Sequence, residues 1–357
     1  MPIQGFVRLR KHQFGRQSAF GDAEPATRAY LFSGTPDVNL NWTDPEGDFG
    51  SLAPIAAPIR GVPDLGAGLN ASVVNYNDLP LMLAGIFGGA VTPTGSGTSK
   101  TWLWTPGWDD PDDPDVFTYE FGDDVTTDWF QLRDGLLTNL NFTSPEDRGA
   151  IAAAMTWLFG HAASTGSTDS PVEGTVPTTG LTVDRNAVPV YAKDTSLYID
   201  SAIGDIGTTK IANALHTFGI SITRELDQKR FVNGSQSDDL DDYGVAGFNI
   251  EVTAQFAKTS DTVGTGSEAD AWFSDTAVDR FVRFDTISKA VAETGTPDIP
   301  YSWQTDIPLR YYTRSEGEIG GNTTVTLVGH AFVEAGTLDG FFKSTVVNTL
   351  ADTGFES

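Results

Sequence analysis

Two stretches of the chain alternate between apolar and polar positions over enough residues to predict long β-hairpins: Leu132 to Ala162 and Thr305 to Ala331. Each holds a first strand, a polar turn region and a second strand ending in Gly-His-Ala. The turns are expected at Ser144-Pro145-Glu146-Asp147 and at Ser315-Glu316-Gly317-Glu318, and the endings LFGHA (158–162) and LVGHA (327–331) lie 169 residues apart. In the first hairpin Ala150, Ala152 and Ala154 form a small face, while Ile151, Met155, Trp157 and Phe159 form a large one expected to pack on a helix layer.

Shorter alternating runs surround these hairpins. Val38–Trp42 and Leu69–Val74 read as strands, and so do Phe218–Leu226 and Ala246–Phe256. Leu79–Phe87 reads as one short helix, with Asp78 as its cap, Pro80 in its first turn and Gly88-Gly89 ending it. A second helix is expected over 268–284, where Trp272, Phe273, Thr276, Ala277, Arg280 and Phe281 fall near one helical face. Each half thus runs strand, acidic loop, strand, helix, hairpin. AGLN at 67–70 is echoed by AGFN at 246–249, an offset of 179, and an insertion at 90–131 accounts for the difference from 169. The pattern predicts a tandem duplication: an extended arm (1–30), unit 1 (31–162), a Ser/Thr/Gly/Pro-rich linker (163–180), unit 2 (181–335) and a tail (336–357).

Composition narrows the class. At 357 residues there is length for two or three cores, and with no cysteine there are neither disulfides nor thiolate chemistry. No apolar run is long enough to span a membrane, and the polar, basic start lacks the apolar core of a signal peptide, so a cytoplasmic site of synthesis is expected. The net charge of −26, from 48 acidic against 22 basic residues, argues against a free-standing nucleic-acid binder. The basic residues of the arm, Arg8, Arg10, Lys11, Arg16 and Arg28, are better suited to an acidic neighbouring subunit.

The chemistry-bearing residues do not assemble into a recognised motif. His12, His161, His216 and His330 are scattered, and no H-E-x-x-H pair is present. The acidic runs 109–115 and 238–242 lack calcium-loop spacing. Paired carboxylates beside Trp102, Trp104 and Trp108 suggest a glycan-binding or glycan-cleaving β-protein using 102–115, but nothing in the sequence buries a carboxyl there to tune it as an acid. No P-loop, G-x-S-x-G or dinucleotide fingerprint occurs. The expectation is a non-enzyme without cofactor or metal.

Four segments together resemble a known family: the arm KHQFGRQSAFGDAEPAT, the strand–helix unit GLNASVVNYNDLPLMLAGIFGG, and the hairpins LRDGLLTNLNFTSPEDRGAIAAAMTWLFG and IPLRYYTRSEGEIGGNTTVTLVGHAFVEA. The chain resembles the major tail tube protein of long-tailed, siphovirus-type phages and related viruses, in the long form that fuses two tube-fold units. The resemblance implies a mainly β (α+β) fold, each unit a sandwich or barrel-forming sheet with long hairpins and one flanking helix. It also implies self-assembly into stacked rings, three chains giving pseudo-sixfold symmetry, in a virion tail assembled in the host cytoplasm. The implied partners are the tape measure, terminator and distal tail proteins, with viral DNA passing unbound through the lumen; a terminator or distal ring protein of the same fold is the near alternative. Arg8, Arg10, Lys11, Arg16, Arg148 and Arg314 become candidate inter-subunit contacts. Asp134, Glu146, Asp147, Glu316 and Glu318 become candidates for an acidic lumen or ring edge.

Overall fold

A computed structural model describes residues 10–21, 24–39, 41–43, 59–60, 64–89, 92–108, 114–124, 128–164, 180–211, 214–229, 242–258 and 278–351. The fold is mainly β. The strands of the first half are β1 (Lys11–Arg16), β2 (Arg28–Tyr30), β3 (Ser33–Asn39), β4 (Trp42–Thr43), β5 (Ile59–Arg60), β6 (Asp64–Ala71), β7 (Lys100–Trp104), β8 (Phe117–Asp123), β9 (Asp128–Thr143), β10 (Ala152–Leu158) and β11 (His161–Ser164). Those of the second half are β12 (Thr195–Asp200), β13 (Leu215–Lys229), β14 (Asp242–Ala257), β15 (Asp279–Glu293), β16 (Ile299–Ile319), β17 (Asn322–Ala331) and β18 (Lys343–Asn348). All but β4 and β5 belong to one 16-stranded antiparallel sheet, whose main path runs β12-β15-β16-β17-β14-β13-β9-β10-β6-β3.

The two halves meet edge to edge within that sheet. β9 pairs with β13 over Asn139–Thr143 and Gly219–Thr223, so the junction is a backbone ladder. Period-2 alternation explains the layering. Phe218, Ile220, Ile222, Ile250, Val252 and Leu327 are buried on one face, as are Leu69, Met155, Trp157 and Leu140. Against this face lies α1 (Leu79–Phe87), all nine of whose residues are buried. Gly85 permits the contact, since a Cβ there would sit 3.0 Å from the Trp157 ring and 3.3 Å from Leu137. The large face of the first hairpin does pack on the helix.

Asp78 stands at the start of α1, but its carboxylate makes no cap hydrogen bond. It accepts instead from Asn75 Nδ2 (2.8 Å) and Arg28 Nη2 (3.4 Å), a buried polar knot that ties β2 to the helix. Burial pushes the Asp78 carboxyl up, and Arg28 partly counters that. At the other end, Arg224 of β13 donates from Nη1 to the Ile86 carbonyl (3.3 Å), placing a cation on the helix C-terminus, where it is favoured.

Other expectations are corrected. Residues 11–16 of the expected arm form β1, buried between β2 and β8, because His12 and Phe14 pack on Tyr119. The expected turn at Ser315–Glu318 is strand: β16 runs to Ile319, and Gly320-Gly321, both at positive φ, make the two-residue turn that matches strand twist. Arg280 and Phe281 lie in β15, with Arg280 opposite Leu309, so the expected helix does not extend over them; its residues 268–277 lie outside those described. Most of the linker 163–180 also lies outside the described residues.

Candidate functional site

The face of the sheet opposite the helix has no layer over it among the described residues. Directly opposed residues share a face, so register traces its surface across the chain. One row runs Ser33–Asn70–Ala154–Asn141–Ser221–Glu251–His330–Arg310, with one residue from each of eight strands. A flanking row passes through Thr143, Gly219, Thr253, Val328 and Thr313. Apart from the Glu251–His330–Arg310 end of the central row, these side chains are small and uncharged, and they stand half-buried or exposed. The local order is that of an alternating strand: in FGISIT the apolar Phe218, Ile220 and Ile222 leave Gly219, Ser221 and Thr223 for the other side.

Polar groups on this face bond within it. Asn139 Nδ2 donates to Thr223 Oγ1 (3.0 Å) across the junction, and Asn141 Nδ2 donates to Asn139. His330 Nε2 lies 3.7 Å from Glu251, and its ring stands edge-on to Tyr312 at 4.6 Å. Arg310 donates twice to Asp279 Oδ1, at 2.9 and 2.7 Å.

The edges are the second feature. In β9 the lower part lies between β8 and β11, and the upper part lies between β10 and β13. In β16 the lower part lies between β15 and β18, and the upper part pairs with β17 on one side. On its other side, past Arg310, no described strand continues the ladder, at the position that β13 takes on β9. The strand that matches β13 in chain order and pairing is β3, whose one ladder partner among the described residues is β6. Pro36 is tolerated in β3 because this is an edge strand of the chain.

The sequence-predicted residues fall elsewhere. Lys11 donates to Asp124 (2.6 Å) and to the Gly180 carbonyl (3.0 Å), and Arg16 pairs with Asp115 at 2.6 Å; both are held within the chain. Arg10 lies over the Phe121 ring at 5.4 Å, and Arg8 lies outside the described residues. Glu146, Asp147 and Arg148 are exposed in the β9–β10 turn, where Asp147 accepts from Gly149 N. Asp134 is fully buried at positive φ in an irregular part of β9 and accepts from Gly21 N (2.8 Å), so it lines no surface of the chain. Arg314 and Glu316 lie opposite Leu327 and Val325, on the helix side of the sheet, and Glu318 shares that side opposite Thr323. Lys258 and Arg314 both donate to Glu316, at 2.9 and 2.8 Å, and hold its carboxyl below the usual range.

The Gly-His-Ala echo is not a positional match. His161 lies beyond β10, in β11 opposite Arg133, whereas His330 lies inside β17 opposite Glu251. The AGLN/AGFN echo does keep its face, with Leu69 and Phe248 both on the helix side.

The tryptophan platform is corrected as well. Trp102 and Trp104 are stacked with centroids 6.0 Å apart and buried at 2% and 1% exposure, with Trp102 Nε1 bonded to Asn348. Trp108 is 44% exposed. Of the acidic runs, 109–113 and 238–241 lie outside the described residues, and the described residues hold no cluster of three metal-ligating side chains. No described helix is long and apolar enough to cross a membrane. In comparisons with known proteins, the chain matches no family model and no curated sequence.

Proposed function

We propose that this chain is a structural subunit that polymerises through its sheet edges into stacked rings, building the tail tube of a long-tailed virus. One observation carries the reading: the two four-strand sets β3-β6-β10-β9 and β13-β14-β17-β16 share order, direction and connection, and are already joined by β9 and β13. Repeating that junction between copies seats β3 of one chain on the upper edge of β16 of the next. Exposed edges with unpaired backbone groups favour such addition. A common topology for the two halves is the expected product of an ancient tandem duplication.

Ring size follows from strand geometry. Three chains supply about 24 strands at ~4.8 Å spacing and ~40° tilt, giving a backbone diameter of about 48 Å. Two chains give about 32 Å, which side chains narrow to little more than a nucleic-acid duplex about 20 Å across. Three is the smaller number that leaves clearance. The helix and the small strands behind the apolar face then lie outside, and the uncovered face lines the lumen. Such a protein is found in the virion tail, stacked on itself and bounded by other tail proteins. Electron microscopy of the purified full chain tests the reading: hollow rings or tubes are expected, and a chain that remains monomeric at high concentration counts against it.

A further inference from the structure

The chain carries a large acidic excess, yet the face assigned above to the lumen does not share it. Among the described residues of the eight-strand band, carboxylates on that face are Asp37, Asp64, Glu225, Asp227 and Glu251, together with Asp306, which is buried against Arg283, while the chain holds 48 acidic residues. The central row ends Glu251–His330–Arg310–Asp279, so its charges alternate and meet one another. Asp37 and Asp64 sit towards the far end of β3 and β6, away from the rows that cross all the strands.

Phosphates are held by lysine, arginine, hydroxyl and amide donors, and by free backbone N–H groups. Hydroxyls are present here, but the cations, amides and backbone donors are scarce or already engaged. The one described lysine of the band on this face, Lys229 at the far end of β13 beside Asp227, is engaged within the chain, and Arg310 is fastened to Asp279. The Asn139 and Asn141 amides bond to Thr223 and to each other, and the backbone N–H groups lie in ladders.

We infer that the wall past which a nucleic-acid duplex moves is close to neutral, and that it is non-adhesive because it offers no unspent cation or amide rather than because it repels with a dense carboxylate lining. The inference rests on the tube reading. Small side chains serve the same end, since glycine, alanine, serine and threonine leave a smooth surface without long flexible arms. The acidic excess is then carried by loops and outer surfaces, where it acts on solubility and on contacts between copies.

The test uses full-length chains assembled into hollow particles and a fluorescent linear duplex, with the fraction retained measured against salt. Glu225→Gln/Glu251→Gln particles retain the duplex as weakly as wild type, within about twofold. Ser221→Lys/Thr253→Lys particles retain it about tenfold or more strongly at low salt and lose it as salt rises, because each phosphate contact steepens the salt dependence by about 0.9 in log units. Stronger retention by the Gln pair overturns the neutral wall in favour of an acidic one. Unchanged retention by the Lys pair shows that the face does not meet the duplex. Failure of the wild-type chain to form hollow particles removes the tube reading itself, an outcome separate from either.

Discussion

β9 and β16 are the same strand in two settings. Each is long, each has its lower part flanked on both sides, and each begins a hairpin whose second strand continues into the sheet. The difference lies at the upper edge. On β9 that edge is filled by β13, and Phe142 beneath it packs on Trp303 with centroids 4.9 Å apart. On β16 the edge past Arg310 has no described ladder partner, and the strand continues for nine residues with mostly exposed side chains. A backbone ladder with an apolar underside holds two halves together permanently. The same edge without that underside can form late and between copies.

Breaking the filled junction has the largest expected effect. Phe142→Ala removes a fully buried ring shared by both halves and costs about 3–5 kcal/mol. Denaturant unfolding should show one destabilised transition; two separate transitions would mean that the halves are energetically independent.

The flanking strands β1 and β12 differ in a titratable group. His12 of β1 is buried, with Nδ1 2.8 Å from the Tyr119 hydroxyl, whereas β12 buries Leu197 and Ile199. Burial, with a smaller contribution from Arg10, lowers the His12 pKa from 6.5 to about 4. The unfolded chain therefore binds this proton more readily between those values. Stability from His12 is full above about 6.5 and falls by about 3 kcal/mol as pH drops towards 4. Glu120, pushed up by burial, acts in the other sense, losing its contribution as pH rises above the ordinary carboxylate range. The difference between wild type and His12→Gln across pH 4–6.5 isolates the histidine; parallel curves would refute its buried neutral state.

Arg224 sharpens the comparison at the next level, because it joins a strand of the second half to the helix of the first. Arg224→Leu leaves the Ile86 carbonyl without this donor and should cost about 1–3 kcal/mol in thermal or denaturant unfolding. A neutral result would assign the helix C-terminus to other partners.

The smallest effects distinguish the edges themselves. Asn141→Lys on β9 breaks the Asn139 bond opposite Ser221 and should cost about 1 kcal/mol. Thr313→Lys on β16 should change monomer stability by less than about 0.5 kcal/mol while weakening assembly, as edge lysines do. Equal destabilisation by both would mean that the β16 edge is already covered.

Much of the strand order was legible in the sequence. Alternation located both hairpins, β13 and β14, and the apolar run LPLMLAGIF with its flanking glycines located α1. What alternation does not encode is which ladder a strand joins. KHQFGR looks like a polar arm because its charged ends hide His12, Gln13 and Phe14, whose burial depends on β8 arriving about a hundred residues later. The stretch DRFVRF has helical spacing over a short window, and only its pairing with β16 makes it a strand. Acidic residues were legible as charge but not as position. Asp134 is buried by Gln17 and Gly21, both remote in sequence, and Glu316 and Glu318 fall on the helix side because the turn lies later than expected. The overlooked signal was the partner of the apolar pattern: the Gly, Ser, Thr and Asn positions between buried residues already spelled out a second, neutral face.

Pairing between copies through β3 and β16 is tested most directly by oxidative cross-linking. The chain has no cysteine, so Thr35→Cys with Ser315→Cys places one thiol on each open edge, both on the uncovered face. A denaturing gel of the oxidised assembly should show dimers and trimers as the closing species, absent from either single variant. Oxidised protein that runs only as monomer, although assembled beforehand, would contradict the edge-to-edge ring.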